Sequence, residues 1–177
     1  LMLLMLVPFE ALAQEIVDGD IGAATSFQYP YLNHSFYDTT FNNNFVFYSV
    51  GTDIGWRYSD DDGITWSGET TLGITHEHSN NGSDFSIWFD GTHVWAAYID
   101  TNHTLIKFRR GDVGDGAIAW EGANWLTAYT YTGGGGYDWD YPHFPYIAVD
   151  SGGYPWIGFN GEIGEYAVVT KSSTNDG

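Results

Sequence analysis

The chain has 177 residues, enough for one sizeable core, and carries 23 acidic against 5 basic residues, a formal net charge of −18. A surface this acidic repels phosphate backbones and anionic lipid, which argues against nucleic-acid and membrane-surface partners. Cysteine is absent, which removes disulfides, CxxC redox pairs and thiolate metal sites, and the acidic residues are scattered rather than gathered into a disordered tail.

Taken in chain order, Leu1 to Val7 read as the hydrophobic part of a secretory signal. Ala11-Leu12-Ala13 fits the small-x-small cleavage rule and makes Gln14 the mature start. The apolar run is too short for a permanent membrane span. Residues 1–13 are therefore set aside as a signal remnant, and a secreted or cell-surface location is expected. With no basic segment and no initial methionine, the true start is expected upstream.

Beyond the leader, aromatic residues (18%) alternate with glycine-rich turns, the composition of an all-β protein. No long 3.6-residue periodicity supports a helix. Three segments line up. The first runs Phe45 to Val50, Gly55 to Tyr58, then Ser59 to Trp66. The second runs Phe85 to Gly91, Val94 to Ile99, Leu105 to Arg110, then Gly111 to Trp120. The third runs Tyr146 to Gly152, Trp156 to Phe159, Tyr166 to Thr170, then Ser173 to Gly177. Trp66 and Trp120 stand 54 positions apart, and Gly116 and Gly177 stand 61 apart. A period of about 50–60 residues built from four short strands is that of a β-propeller blade. Residues 14–177 are thus expected to form an incomplete propeller, with blade units near 25–75, 84–130 and 143–177. Asp90-Gly91-Thr92 and Asp150-Ser151-Gly152-Gly153 read as tight hairpins between first and second strands.

Ser59-x-Asp61-x-Gly63-x-Thr65-Trp66 carries every fixed position of the S-x-D-x-G-x-T-W pattern. It resembles the Asp-box, or BNR repeat, of sialidases and sialidase-like propellers. A second copy keeps Asp115, Gly116 and Trp120, and a third begins Ser173-x-Asn175-x-Gly177. The resemblance covers residues from about 25 to 177. It implies a molecule of six or seven four-stranded blades, with the boxes on the rim away from the active-site mouth. The motif's chemistry is structural. A short carboxylate closes the turn on backbone N–H groups, glycine supplies a positive φ, and tryptophan packs between neighbouring sheets. No cofactor is expected; calcium at the exposed Asp60 and Asp62 is the one cation the pattern admits.

Chemistry is expected on the loops that lead into each first strand. Thr75 to Asp84 and Gly133 to His143 occupy the same place in the repeat, with Gln28 their counterpart in the first unit. Gln28, Asp84 and His143 are expected to point into one shared mouth. His76 and His78 lie on one side of an extended segment, with Asp84 as a possible third metal ligand; the alternative is a solvated loop. Tyr137, Asp138, Trp139, Asp140 and Tyr141 read either as a sugar-binding edge or as a loop covering the neighbouring blade. His34, His93 and His103 read as ordinary strand-end or turn residues.

In the resembled family, three arginines clamp the substrate carboxylate, a tyrosine assisted by glutamate is the nucleophile, and an aspartate is the acid/base. Here Arg57, Arg109 and Arg110 lie on third strands beside the boxes, and the Arg-Ile-Pro opening is absent. Asp84 alone has the position and type for an acid/base. A net charge of −18 also disfavours an acidic sugar as substrate. Recognition of an extracellular carbohydrate or protein is therefore the primary expectation. An exo-sialidase-like glycoside hydrolase, with its other catalytic residues elsewhere, is the alternative.

Overall fold

The computed structural model describes residues 32–76, 84–132, 142–160 and 167–173. Every regular element among them is a β-strand, and the all-β expectation holds. The strands fall into three antiparallel sheets in which, with one exception in the second, sequence neighbours are hydrogen-bonded neighbours.

The first sheet orders β1 (Ser35–Asp38), β2 (Asn43–Val50), β3 (Asp53–Ser59) and β4 (Thr70–Thr71). The second orders β5 (Phe85–Phe89), β6 (His93–Ile99), β7 (Leu105–Gly114) and β8 (Ala117–Trp120), with β9 (Leu126–Thr130) also on β7. The third orders β10 (His143–Val149), β11 (Pro155–Asn160) and β12 (Ala167–Lys171).

β8 and β9 share one edge of β7. β8 pairs Gly111 to Gly114 and β9 pairs Leu105 to Phe108, so the two are halves of one interrupted edge strand. The break would leave carbonyls without partners, and backbone acceptors removed from water need them. Arg109 supplies them: its guanidinium donates to the carbonyls of Trp120, Glu121 and Gly122. In the first sheet Arg57 does the same for the carbonyl of Ser67.

The sheets stack face to face. Phe45, Phe47, Ile54 and Trp56 of the first sheet meet Phe85, Ile87, Val94, Ala96 and Tyr98 of the second. The opposite face of the second sheet, Trp95, Ala97, Ile99, Ile106 and Phe108, meets Ile147, Ile157 and Phe159 of the third. β6 therefore packs on both sides, with alternate residues serving alternate neighbours. Its sequence is accordingly an almost unbroken apolar run, as strands covered on both faces require. β11 alternates buried and exposed positions instead, with Ile157 and Phe159 inward and Trp156 outward. Burying each large apolar side chain contributes about 1.5–3 kcal/mol, so these two interfaces outweigh any single turn.

Register defines two ends. The β1–β2, β5–β6 and β10–β11 hairpins share the lower end with the β3–β4 and β7–β8 turns. The β2–β3 and β6–β7 turns share the upper end with the starts of β5 and β10. Contacts between sheets respect this division: Asp115 at the lower end of the second sheet accepts from Asn43 Nδ2 of the first at 3.3 Å.

Candidate functional site

The Ser59–Trp66 box is a self-contained turn between β3 and β4. Ser59 Oγ donates to Asp61 Oδ1 at 2.9 Å and accepts from the Gly63 N–H at 2.8 Å. Asp61 Oδ1 accepts the Thr65 N–H at 2.8 Å, and Oδ2 accepts the Thr65 hydroxyl at 2.7 Å. Gly63 takes φ 86°, and Asp62 before it takes φ 60°. The Thr65 N–H and hydroxyl, joined by the Ser59 hydroxyl and the Ile64 N–H, hold the Asp61 carboxyl below the usual carboxylate range despite opposing desolvation. Both Asp61 oxygens are thus spent on the turn. Asp60 and Asp62 are exposed beside it, and among the described residues they converge with no further ligand group.

Trp66 departs from the expectation of packing between sheets. It is partly buried and lines a shallow groove with Phe36, Phe45 and Val46 of its own sheet. Trp120, from the second copy, does pack on the core between the first and second sheets. The second copy forms no box: Asp115 and Gly116 are a two-residue turn between the paired Gly114 and Ala117, with Gly116 at φ 62°. Ser173 follows β12, while Asn175 and Gly177 lie outside the described residues.

The upper end gathers titratable groups. Asp53 opens β3 and fixes the segment leading to His76. Its Oδ1 accepts the N–H groups of Ile54 and Ile74, and its Oδ2 accepts that of Gly73. The His76 N–H then donates to the Thr52 carbonyl at 2.9 Å, and His76 Nε2 lies 3.1 Å from the Asp53 carbonyl. That contact makes Nε2 the donor and turns Nδ1 toward Asp84 Oδ2, 3.7 Å away. Both side chains are fully buried, at 0% and 1% exposure. Asp84 is further fixed by its carbonyl, which accepts the Ile99 N–H at 2.9 Å. Asp84 thus sits in a buried pair behind the start of β5 rather than on an open surface.

His143 stands at the equivalent start of β10 and meets the preceding sheet through a ring contact rather than an acid–histidine pair. Its ring lies edge-on to His103 of the β6–β7 turn, with centroids 5.4 Å apart. A bulge follows between His143 and Tyr146, with Phe144 at φ 55°, a conformation costing a non-glycine residue about 1–2 kcal/mol. Tyr98 points toward this end too. Its phenol is pushed up to about 12 by burial, reinforced by the charges of Asp100 and Asp53.

The first strands meet each other along their inner edges. The Ile87 N–H donates to the Asn33 carbonyl at 2.8 Å, and the Ile147 N–H donates to Ser86 Oγ at 2.9 Å. Asn33 Nδ2 reaches Tyr146 Oη at 3.2 Å, linking the first and third sheets across the second. Neither Asn33 nor Tyr146 is singled out by any motif. Their bond spans 113 positions, and no local pattern encodes it.

Gln28, His78, Tyr137, Asp138, Trp139 and Asp140, with the leader 1–13, lie outside the described residues. The three arginines are engaged in their own sheets: Arg57 also with Tyr48 Oη, Arg109 with the carbonyls named above, and Arg110 with Glu121. No protein-family model matches the chain, and no curated protein matches it.

Proposed function

We propose that this chain is a segment of a secreted, sialidase-like β-propeller whose upper end recognises an extracellular glycan or protein. The observation that carries this reading is the convergence of β1, β5 and β10 through Asn33, Ser86 and Tyr146. Successive meander sheets whose first strands touch suit the blades of a propeller, and ligands of that fold enter where the inner strands begin. The box geometry at the opposite end supports the family reading, because it closes a turn and offers no free carboxylate from Asp61.

Recognition is preferred to hydrolysis on two grounds. Asp84, the one acid/base candidate, is buried against His76. Arg57, Arg109 and Arg110 are held by Tyr48, by backbone carbonyls and by Glu121, and a carboxylate clamp needs free guanidinium forks. The test is to express the protein with its natural flanking sequence and to present it with a glycan array and a panel of fluorogenic glycosides that includes a sialoside. Binding without turnover is the expected result. Turnover abolished by Asp84→Asn in a protein that still folds would instead establish the hydrolase.

A further inference from the structure

The lower end of the second sheet carries a second cluster, some 20 Å along β6 from Asp84. His93 and Asp112 are direct cross-strand partners on β6 and β7, and the Glu121 N–H donates to the carbonyl of Arg110. Alternation puts His93, Arg110, Asp112 and Glu121 on the face that also carries Trp95. A ring nitrogen of His93 and one oxygen each from Asp112 and Glu121 lie within 4.8 Å of one another.

The arrangement around His93 is directional. Asp90 Oδ1 accepts the N–H groups of Thr92 and His93, and its Oδ2 lies 3.2 Å from His93 Nδ1 and accepts from Trp95 Nε1 at 3.3 Å. With Asp90 Oδ2 as its acceptor, Nδ1 carries the ring proton. The lone pair of Nε2 then faces Asp112 Oδ1 at 3.4 Å, an acceptor facing an acceptor. Two ligands about 2.0–2.1 Å from a tetrahedral ion stand roughly 3.3 Å apart, so the spacing suits a shared cation. A carboxylate behind the imidazole is also the usual outer partner of a metal-bound histidine. Three carboxylates, Asp90, Asp112 and Glu121, surround the ring against one guanidinium, Arg110. The Asp112 side chain is 61% exposed, which leaves a solvent-facing position open.

We propose that His93, Asp112 and Glu121 form a binding site for a divalent transition-metal ion of the zinc class, with Asp90 orienting the histidine and water completing the coordination. A hard cation such as calcium is not the intended ion, because an imidazole replaces an oxygen ligand. The ion would tie β6, β7 and the end of β8 together where the edge strand breaks.

The experiment is titration of the metal-free protein with Zn2+ by calorimetry and with Co2+ by visible absorption, for wild type, His93→Ala, Asp112→Asn and His78→Ala. The site predicts one Zn2+ per chain and a tetrahedral Co2+ spectrum. It also predicts affinity down at least about tenfold in both His93→Ala and the solvent-exposed Asp112→Asn, with His78→Ala like wild type. Circular dichroism of each variant checks that it is folded. Absence of Zn2+ binding in the wild type would overturn the proposal. Unchanged affinity in folded Asp112→Asn and His93→Ala, or loss confined to His78→Ala, would overturn it equally.

Discussion

The β3–β4 turn of the first sheet and the β7–β8 turn of the second occupy the same place in the repeat and solve it differently. In the first, ten residues between the strands are organised by Ser59 and Asp61, which between them accept from Gly63, from Thr65 twice, and from each other. In the second, Asp115 and Gly116 alone turn the chain, and the saved length extends β7 to Gly114. The first turn stands on its own hydrogen bonds. The second stands on its neighbour: a Cβ at Gly116 would lie 2.4 Å from the Tyr58 ring, and Asp115 accepts from Asn43. The short turn thus takes from the adjacent sheet the support that the longer one takes from its own side chains.

The same methyl group added to each turn separates the two most strongly. Gly116→Ala meets both a positive φ and the Tyr58 ring, and is expected to cost about 2–4 kcal/mol in urea unfolding. Gly63→Ala meets only the positive φ, since the nearest atom is Trp66 at 3.8 Å, and is expected to cost about 1–2 kcal/mol. Equal costs would remove the claim that the second turn leans on the first sheet.

Ser59→Ala, in contrast, strikes only the self-supporting turn. Ser59 is buried at 1% exposure, and its loss orphans the Gly63 N–H, so about 1–3 kcal/mol is expected by chemical denaturation. A null effect would mean that the turn is held from outside, like its counterpart.

Acid separates the first turn further. The folded-state pKa of Asp61 is lowered, so its contribution is complete above the ordinary carboxylate range near 4 and lost as pH falls through the lowered value. The melting-temperature gap between wild type and Asp61→Asn should accordingly be constant at neutral pH and close below about pH 4. A gap that persists or widens in acid would contradict the hydrogen bonding assigned to Asp61. The smallest effect is expected at Asp62, whose φ of 60° is tolerated by aspartate: Asp62→Gly relieves that strain but frees the unfolded chain, for a net change within about 0.5 kcal/mol in the same urea titration.

The parts of the fold written locally are legible in the sequence. β6 is legible as the apolar run Val94 to Ile99, and Asp90-Gly91 and Asp150-Ser151-Gly152-Gly153 read as hairpins because glycine at positive φ marks tight turns. What is not written locally depends on register. Trp95 and Trp156 donate their indole N–H groups to Asp90 and Asp150, a recurrence visible only once the strands are paired. The split of the outer strand into β8 and β9 is set by Arg109, whose role as a carbonyl partner has no sequence signature. His93 reads as an ordinary turn residue until pairing sets it opposite Asp112 and beside Glu121. Asp84 reads as a mouth residue by its position, and its burial follows from His76, which Asp53 fixes through a separate turn.

On the function proposed above, the box closes a turn and recognition belongs to the opposite end of the sheets. The most direct test compares glycan-array binding by wild type, Asp61→Asn and Trp139→Ala, each assayed well below its melting temperature. Asp61→Asn is expected to bind as wild type does, and Trp139→Ala is expected to lose the signal. Loss of binding in a folded Asp61→Asn, with Trp139→Ala unaffected, would place recognition at the box instead.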